Sequence, residues 1–284
     1  VPGTLILCAG PIGNLADAPP RLAEALRSAE VVYAEDTRRA RVLLDHLGVF
    51  RPLRSYFAGN EAERAAEVGH RLAGGETVAL LTDAGTPTIS DPGLSAVRAA
   101  LEAGATVTGV PGPSAVTLAL AVSGLPAERF VFEGFLPRRG EKRRERLAAL
   151  ASEGRSAVLF CAPGRLAGDL ADLSAALGGT RPCVVCRELT KRHEEVWRGT
   201  LAEAARQWAE DRARGEVTVV VGGAPGTGPD LGEAVARVRG LVDQGASRSE
   251  ACRAIAEELG VPRRALYQAV AARPGGRVPG PGAG

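Results

Sequence analysis

The sequence predicts an α/β protein of two lobes followed by a small helical domain. Three observations predict it. Over the first 115 residues, short apolar runs alternate with helix-patterned stretches, the pattern of a mostly parallel sheet wrapped by helices. From 116 to 223 further apolar runs recur with a more hairpin-like, mixed character. From 231 to 273 the pattern is helical throughout.

In the first lobe the expected strands are "TLILCA" (4–9), "VVYAED" (31–36), "TVALLTD" (77–83) and "TVTGVPG" (106–112). Helices are expected over 20–29, 37–47, 60–73 and 93–103. In such sheets ligands gather at the carboxyl ends of the strands. Every unusual motif falls at one: Gly10-Pro11-Ile12-Gly13-Asn14, Glu35-Asp36-Thr37-Arg38, Asp83-Ala84-Gly85-Thr86-Pro87 and Pro111-Gly112-Pro113-Ser114-Ala115.

The second lobe, 116–223, offers strands at 129–135, 156–162, 182–189 and 216–223, with helical signal at 165–177 and 200–213. "APGTGPD" (224–230) has the composition of a linker. In the helical domain, Ser247 and Glu250 fit a capping box, and Ile255 and Leu259 recur at helical spacing. Ala256, Gly260 and Leu266 have the spacing of a helix-turn-helix, read first as a packing module, then as an RNA contact, and last as a major-groove reader. The tail 274–284, rich in Gly and Pro, is expected to be disordered.

Bulk composition sets limits. The 284 residues are 45% hydrophobic and 24% charged, with net charge +2, which supports a real core and excludes an overall polycation. Lys142 and Lys191 are the only lysines among 35 basic residues, an imbalance read as compositional bias ahead of phosphate recognition. No apolar run approaches membrane-spanning length, and "VPGTLILCAG" reads as a strand, so a cytoplasmic protein is expected. The five cysteines are scattered. Cys183 and Cys186 share a C-x-x-C spacing inside an apolar run, where a strand points them to opposite faces, so buried thiols are expected ahead of a metal or redox pair.

The motifs narrow the chemistry. There is no G-x-x-x-x-G-K-[ST], and no G-x-G-x-x-G follows a strand. The prolines in Gly10-Pro11 and Gly112-Pro113 remove backbone donors, so these turns suit a small-headed ligand better than a phosphate. Asp83 and Asp91 are expected as turn caps, with a Mg²⁺ site as the alternative. "RELTKRHEE" (187–195) gathers charge after an apolar strand, as a site or an interface network. Residues 138–146 carry six positive and two negative side chains and read as an arm for an anionic polymer ahead of a solvated helix face.

Together, "GPIGNLADAPPRLAEALRSAEVVYAEDTR" (10–38), "TDAGTPTISDPG" (82–93), "VPGPSA" (110–115), "GFLPR" (134–138) and "RELTKRHEEVWRGTL" (187–201) resemble the tetrapyrrole-methylase superfamily, and within it the small-subunit ribosomal RNA methyltransferases. The resemblance spans about 1–222, with the motifs in order. It implies a two-lobed tetrapyrrole-methylase-like fold and S-adenosyl-L-methionine as cofactor. It also implies a homodimer and 2′-O-methylation of the P-site cytidine of 16S-type rRNA in the small ribosomal subunit. Donor contacts carried over are Pro11, Gly13, Gly85, Thr86, Pro87, Ile89, Ser114, Ala115, Phe160 and Cys161, with Asp83 added as a candidate carboxylate partner for the sulfonium charge. Cys161 stands where relatives usually carry Glu. A ribose hydroxyl needs a base, for which Glu35, Asp36, Glu188 and His193 are candidates, and Lys191 if its pKa is depressed. Arg38, Arg138, Arg139, Arg143 and Arg144 are the expected phosphate contacts. The alternatives are a tetrapyrrole methylase of the same fold and a nonenzymatic rRNA-binding assembly factor.

Overall fold

The computed structural model describes residues 1–209, 214–225 and 231–271. They form two compact units, residues 1–151 with 155–222, and residues 152–154 with the chain from 223 onward.

The first unit holds two five-stranded sheets. The N-terminal sheet is built from β1 (Thr4–Cys8), β2 (Val31–Ala34), β3 (Leu53–Ser55), β4 (Thr77–Leu81) and β5 (Thr106–Val110), in the order β3-β2-β4-β1-β5. All its pairings are parallel. Its helices are α1 (Pro20–Ser28), α2 (Thr37–His46), α3 (Glu61–Ala73) and α4 (Leu94–Glu102). Alternate strand residues enter two different cores. Ile6, Cys8, Val32 and Leu81 meet Leu22, Leu26 and Leu44 of α1 and α2. Leu5, Val31, Tyr33 and Leu80 meet Val68, Leu72, Ala96 and Ala100 of α3 and α4. Burial on both faces explains why these strands read as continuous apolar runs. Each fully buried leucine there contributes about 1.5–3 kcal/mol.

A helix, α5 (Ala115–Ser123), leads into the second sheet: β6 (Phe130–Phe135), α6 (Glu141–Ser152), β7 (Ser156–Cys161), α7 (Leu166–Leu177), β8 (Pro182–Arg187), β9 (Glu195–Thr200), α8 (Leu201–Gln207) and β10 (Val217–Val221). Its order is β6-β7-β10-β8-β9, parallel only between β6 and β7. Leu166, Leu170 and Leu173 of α7 and Leu201 of α8 cover one face. Val116, Ala119 and Leu120 of α5 cover the other, joined by Ile12 from the loop after β1. Cys183 and Cys186 do enter opposite faces. Burial pushes both thiols up, to about 12 and about 11.

Several elements differ from the sequence expectation. The strands β2 and β4 stop at Ala34 and Leu81, which leaves Glu35, Asp36 and Asp83 in loops. The "RELTKRHEE" cluster is the turn of the β8–β9 hairpin, whose second strand the sequence pattern does not reveal. The arm at 138–146 runs into α6, and two of its arginines are engaged by acids. Arg143, only 9% exposed, donates to Asp169 (2.8 Å), to Asp172 (2.8 Å) and to the Pro137 carbonyl (2.9 Å). Arg146 pairs with Glu133. Arg143 is therefore removed from the expected phosphate contacts, while Arg138, Arg139 and Arg144 stand exposed.

The second unit contains α9 (Leu231–Asp243), α10 (Arg248–Leu259) and α11 (Arg263–Ala271) around Ala234, Val238, Ile255 and Leu266. Ser247 caps α10, its hydroxyl accepting from the Glu250 amide (3.3 Å). Gly260 takes the left-handed conformation at the end of α10 (φ 65°), the turn that directs Val261 inward. The expected tail at 274–284 and linker residues 226–230 lie outside the described residues. Among the described residues no helix is long and apolar enough to cross a membrane.

Candidate functional site

The carboxyl ends of β1, β2, β4 and β5 converge on the ends of β6 and β7 and the start of β10. Backbone contacts fix the loops. The Gly10 amide donates to the Gly85 carbonyl at 2.8 Å, stitching the loop after β1 to the loop after β4. A Cβ on Gly112 would lie 3.0 Å from the Ala9 carbonyl oxygen, a tight contact that glycine spares the loops after β1 and β5.

The loop at 82–93 is held from several sides. Thr82 Oγ1 donates to Asp91 Oδ2. Glu61 Oε1 accepts from the Gly93 amide (3.2 Å) and from Ser95 Oγ (2.6 Å). Thr88 (φ 75°) and Ser90 (φ 62°) adopt the left-handed region, costly for a β-branched threonine. This backbone strain persists because the surrounding contacts determine the loop. Asp83 is fully engaged: Oδ1 accepts from the Asp36 amide (2.9 Å) and Oδ2 pairs with Arg39 (3.2 Å). It locks the end of β4 to the start of α2. Asp83→Ala strands the Asp36 amide and frees Arg39. It is expected to lower kcat/KM about 10- to 100-fold, the worth of a hydrogen bond to a charged group, in the steady-state assay of the activity proposed below.

Two adjoining cavities lie here. The larger, about 430 Å³, is lined by Glu35, Asp83, Gly85, Thr86 and Ile89 from the first lobe, with Ser114 and Ala115 at the head of α5. Phe135, Phe160 and Cys161 close it from the second lobe. Phe160 packs against Phe135 and Phe132, with ring centroids 5.6 and 5.0 Å apart, giving a stiff aromatic wall. The smaller, about 340 Å³, takes in Pro11, Gly13 and Lys191. Both share Ile12, Arg39, Asp83, Ala84 and Glu216. Pro87 is buried and lines neither cavity, so it shapes the loop without facing a ligand.

The electrostatics separate the candidate bases. Burial first, then the charges of Asp91 and Asp83, raise the Glu35 carboxyl above the usual range. Burial likewise raises Asp91, with Asp83 and Glu216 adding to the shift against the Thr82 hydrogen bond. The other four candidates are corrected. Asp36 caps α2, accepting from the Arg38 amide (2.8 Å) and from the Arg38 guanidinium, which hold its carboxyl well below the usual range. Glu188 is lowered by the Lys191 ammonium at 2.7 Å, and it also accepts from the Glu216 amide. Burial alone would lower Lys191, but Glu188 and Glu216 outweigh it and raise its pKa, so it stays charged and is no base. His193 is exposed at the hairpin turn and lines neither cavity.

Arg38 remains accessible, its side chain 89% exposed while paired with Asp36. Sequence reasoning did not single out Arg39, Val42 and Leu43, which line the smaller cavity, or Glu216 and Phe135. The i, i+3, i+4 spacing of the first three on α2 was the available signal. Among the described residues no group of three His, Cys, Asp or Glu side chains is arranged to hold a metal ion.

The geometry suits an amphipathic donor. An aromatic wall, close backbone turns, the Ser114 hydroxyl and four acidic side chains around a cavity of this size fit a small cationic nucleoside such as S-adenosylmethionine. Comparison with known proteins agrees. The family described as Tetrapyrrole (Corrin/Porphyrin) Methylases matches residues 4–205. The ribosomal RNA small subunit methyltransferase I of Mycobacterium tuberculosis (strain CDC 1551 / Oshkosh) is 50% identical over 271 residues, covering 94% of each chain. That of Synechocystis sp. (strain ATCC 27184 / PCC 6803 / Kazusa) is 45% identical, covering 94% of this chain and 96% of its own. Among solved structures, uroporphyrin-III C-methyltransferase from Thermus thermophilus, complexed with S-adenosylhomocysteine, superposes with a TM-score of 0.56 at 22% identity, covering 78% of this chain and 97% of its own. A cobalt precorrin-4 methyltransferase superposes with a TM-score of 0.59 at 19% identity, covering 78% and 94%.

Proposed function

The chain belongs to the tetrapyrrole methylase family, and from that premise we propose that it methylates small-subunit ribosomal RNA, at the ribose 2′-hydroxyl of the P-site cytidine, using S-adenosylmethionine. The observation that carries this reading is the larger cavity, lined by the motif residues and adjoined by a second cavity, in a chain whose relatives at 45–50% identity bear that rRNA methyltransferase name.

When bound, S-adenosylmethionine supplies an electrophilic methyl on a sulfonium that is a good leaving group. Catalysis then rests mostly on positioning. Phe135, Phe160 and Ile89 would hold the flat nucleoside part, and Ser114 and the turns around Gly85 its polar edges. Asp91 would face the positive charge, beside an Asp83 held by the Asp36 amide and Arg39. Glu35 is the base we assign. A carboxylate with a raised pKa takes a proton more readily than an ordinary one. It would accept the proton of the acceptor hydroxyl as that oxygen is methylated.

Arg38, Arg138, Arg139 and Arg144 are assigned to phosphate contacts. Replacing Arg138, Arg139 and Arg144 together by Gln is expected to weaken subunit binding. The slope of log K against log salt should fall by about 0.7 for each single-strand phosphate that is no longer neutralised. An unchanged slope would clear the arm of any role. The same reading includes a homodimer, for which sedimentation should give twice the monomer mass, and the cytoplasm as the compartment of ribosome assembly. Calorimetry tests the donor directly. Binding supports the enzyme reading, and no heat at millimolar S-adenosylmethionine leaves only a nonenzymatic binder.

A further inference from the structure

We infer that the smaller cavity is the acceptor subsite, taking one nucleoside of the RNA splayed out of its stack, with the base against Leu15, Val42 and Leu43. This deepens the ribose-methylating reading above and rests on it.

A methyl transfer needs two molecules held end to end, with reacting atoms about 3–3.5 Å apart. The two cavities meet along shared residues, so their occupants can touch. The larger has the aromatic wall and carboxylates suited to the donor. The smaller has a different character. Leu15 (37% exposed) and Val42 (59% exposed) leave apolar surface open beside it, and Leu43 lies behind them. A flat base laid on these side chains covers them. Gly13 keeps the floor low: a Cβ there would sit 2.4 Å from Lys191 Cγ, so the lysine stem packs directly on it. About 340 Å³ is room for a small ligand, not for a duplex, so the target nucleotide must leave its stack, as in RNA recognition through unstacked bases.

The charges select the ligand class. Arg39 and Lys191 line this cavity, but so do Asp83 and Glu216, with Glu188 bound to Lys191. A phosphodiester carries one negative charge and can share the two cations. A macrocycle bearing many carboxylates would meet Asp83 and Glu216 at close range. The lining therefore favours a nucleotide over a polyacid.

The test is Val42→Trp, with Leu15→Trp as a second variant, both at exposed positions that burden folding little. Donor binding is read by calorimetry with S-adenosylmethionine, and transfer with small subunits lacking the modification. The expected result is donor affinity near wild type and kcat/KM for the subunit lower by about 10²-fold, as for other losses of positioning. Transfer at the wild-type rate in both variants overturns the inference. So does loss of donor binding in both, which would make the two cavities one donor site. A wild-type protein that binds donor but methylates no subunit instead sinks the ribose-methylating reading itself, and the acceptor assignment with it.

Discussion

Glu35→Gln is expected to slow methyl transfer by about 10²–10⁴-fold, the usual range for removing a general base. Glutamine keeps the size and the hydrogen-bonding edge of the side chain but cannot accept the proton. The pH profile carries the more specific signature. Burial and the neighbouring Asp91 and Asp83 raise the Glu35 carboxyl above the usual range. The active form is the carboxylate, so wild-type activity falls as pH drops through that raised value and is constant above it. The variant should lose this acid limb along with its rate. A rate loss that keeps the limb would assign the titration to another group, with Asp91, also raised and in the same cavity, next to be replaced.

Asp169→Ala is expected to cost about 3–5 kcal/mol of stability, the range for removing one partner of a buried ion pair. Asp169 is 3% exposed and accepts from both Arg143 (2.8 Å) and Arg165 (3.1 Å). These two guanidiniums also hold the Pro137 carbonyl, so the network pins the chain just after Phe135, a wall of the larger cavity. Without Asp169 the buried Arg143 guanidinium keeps the Pro137 carbonyl and, as its acidic partner, Asp172, whose side chain is 52% exposed and well screened. Urea unfolding should show a lower midpoint with an unchanged slope. Asp172→Ala should cost no more than about 1 kcal/mol, as for an exposed pair. Equal costs for the two would contradict a buried network centred on Asp169.

The sheets were legible in the sequence because each central strand buries both faces, which leaves continuous apolar runs broken by turn residues. The strand β3 was not legible: Leu53–Ser55 is three residues long, half-buried and without an apolar pattern. Nor was β9, whose Arg198 and Glu195 mask an edge strand paired on one side only. The helix α5 is apolar where it packs on the second sheet and beside Ile12, while Thr117 and Ala121 stay exposed. Charge misleads in two places. Arg143 sits in a basic run yet turns inward to acids twenty-six and twenty-nine residues away, a pairing no local window reveals. Lys191 and Glu188 look like bases in the sequence, but each fixes the charge of the other. The residues lining the larger cavity were more legible, because strand-end turns of Gly, Pro, Ser and Thr are local in sequence, although Pro11 and Gly13 line the smaller cavity and Pro87 neither. Asp83 proved to be a link between β4 and α2 through the Asp36 amide and Arg39, which the sequence alone left open as a turn cap or a partner for positive charge.

Product mapping puts methyl transfer to a ribose of small-subunit rRNA to its sharpest test. The protein is incubated with methyl-labelled S-adenosylmethionine and small subunits lacking the modification, and the rRNA is digested to nucleosides. The expected outcome is label in a single 2′-O-methylcytidine that maps to the P site. Label on a base, or label taken up by a porphyrinoid and not by RNA, would contradict a ribose methyltransferase.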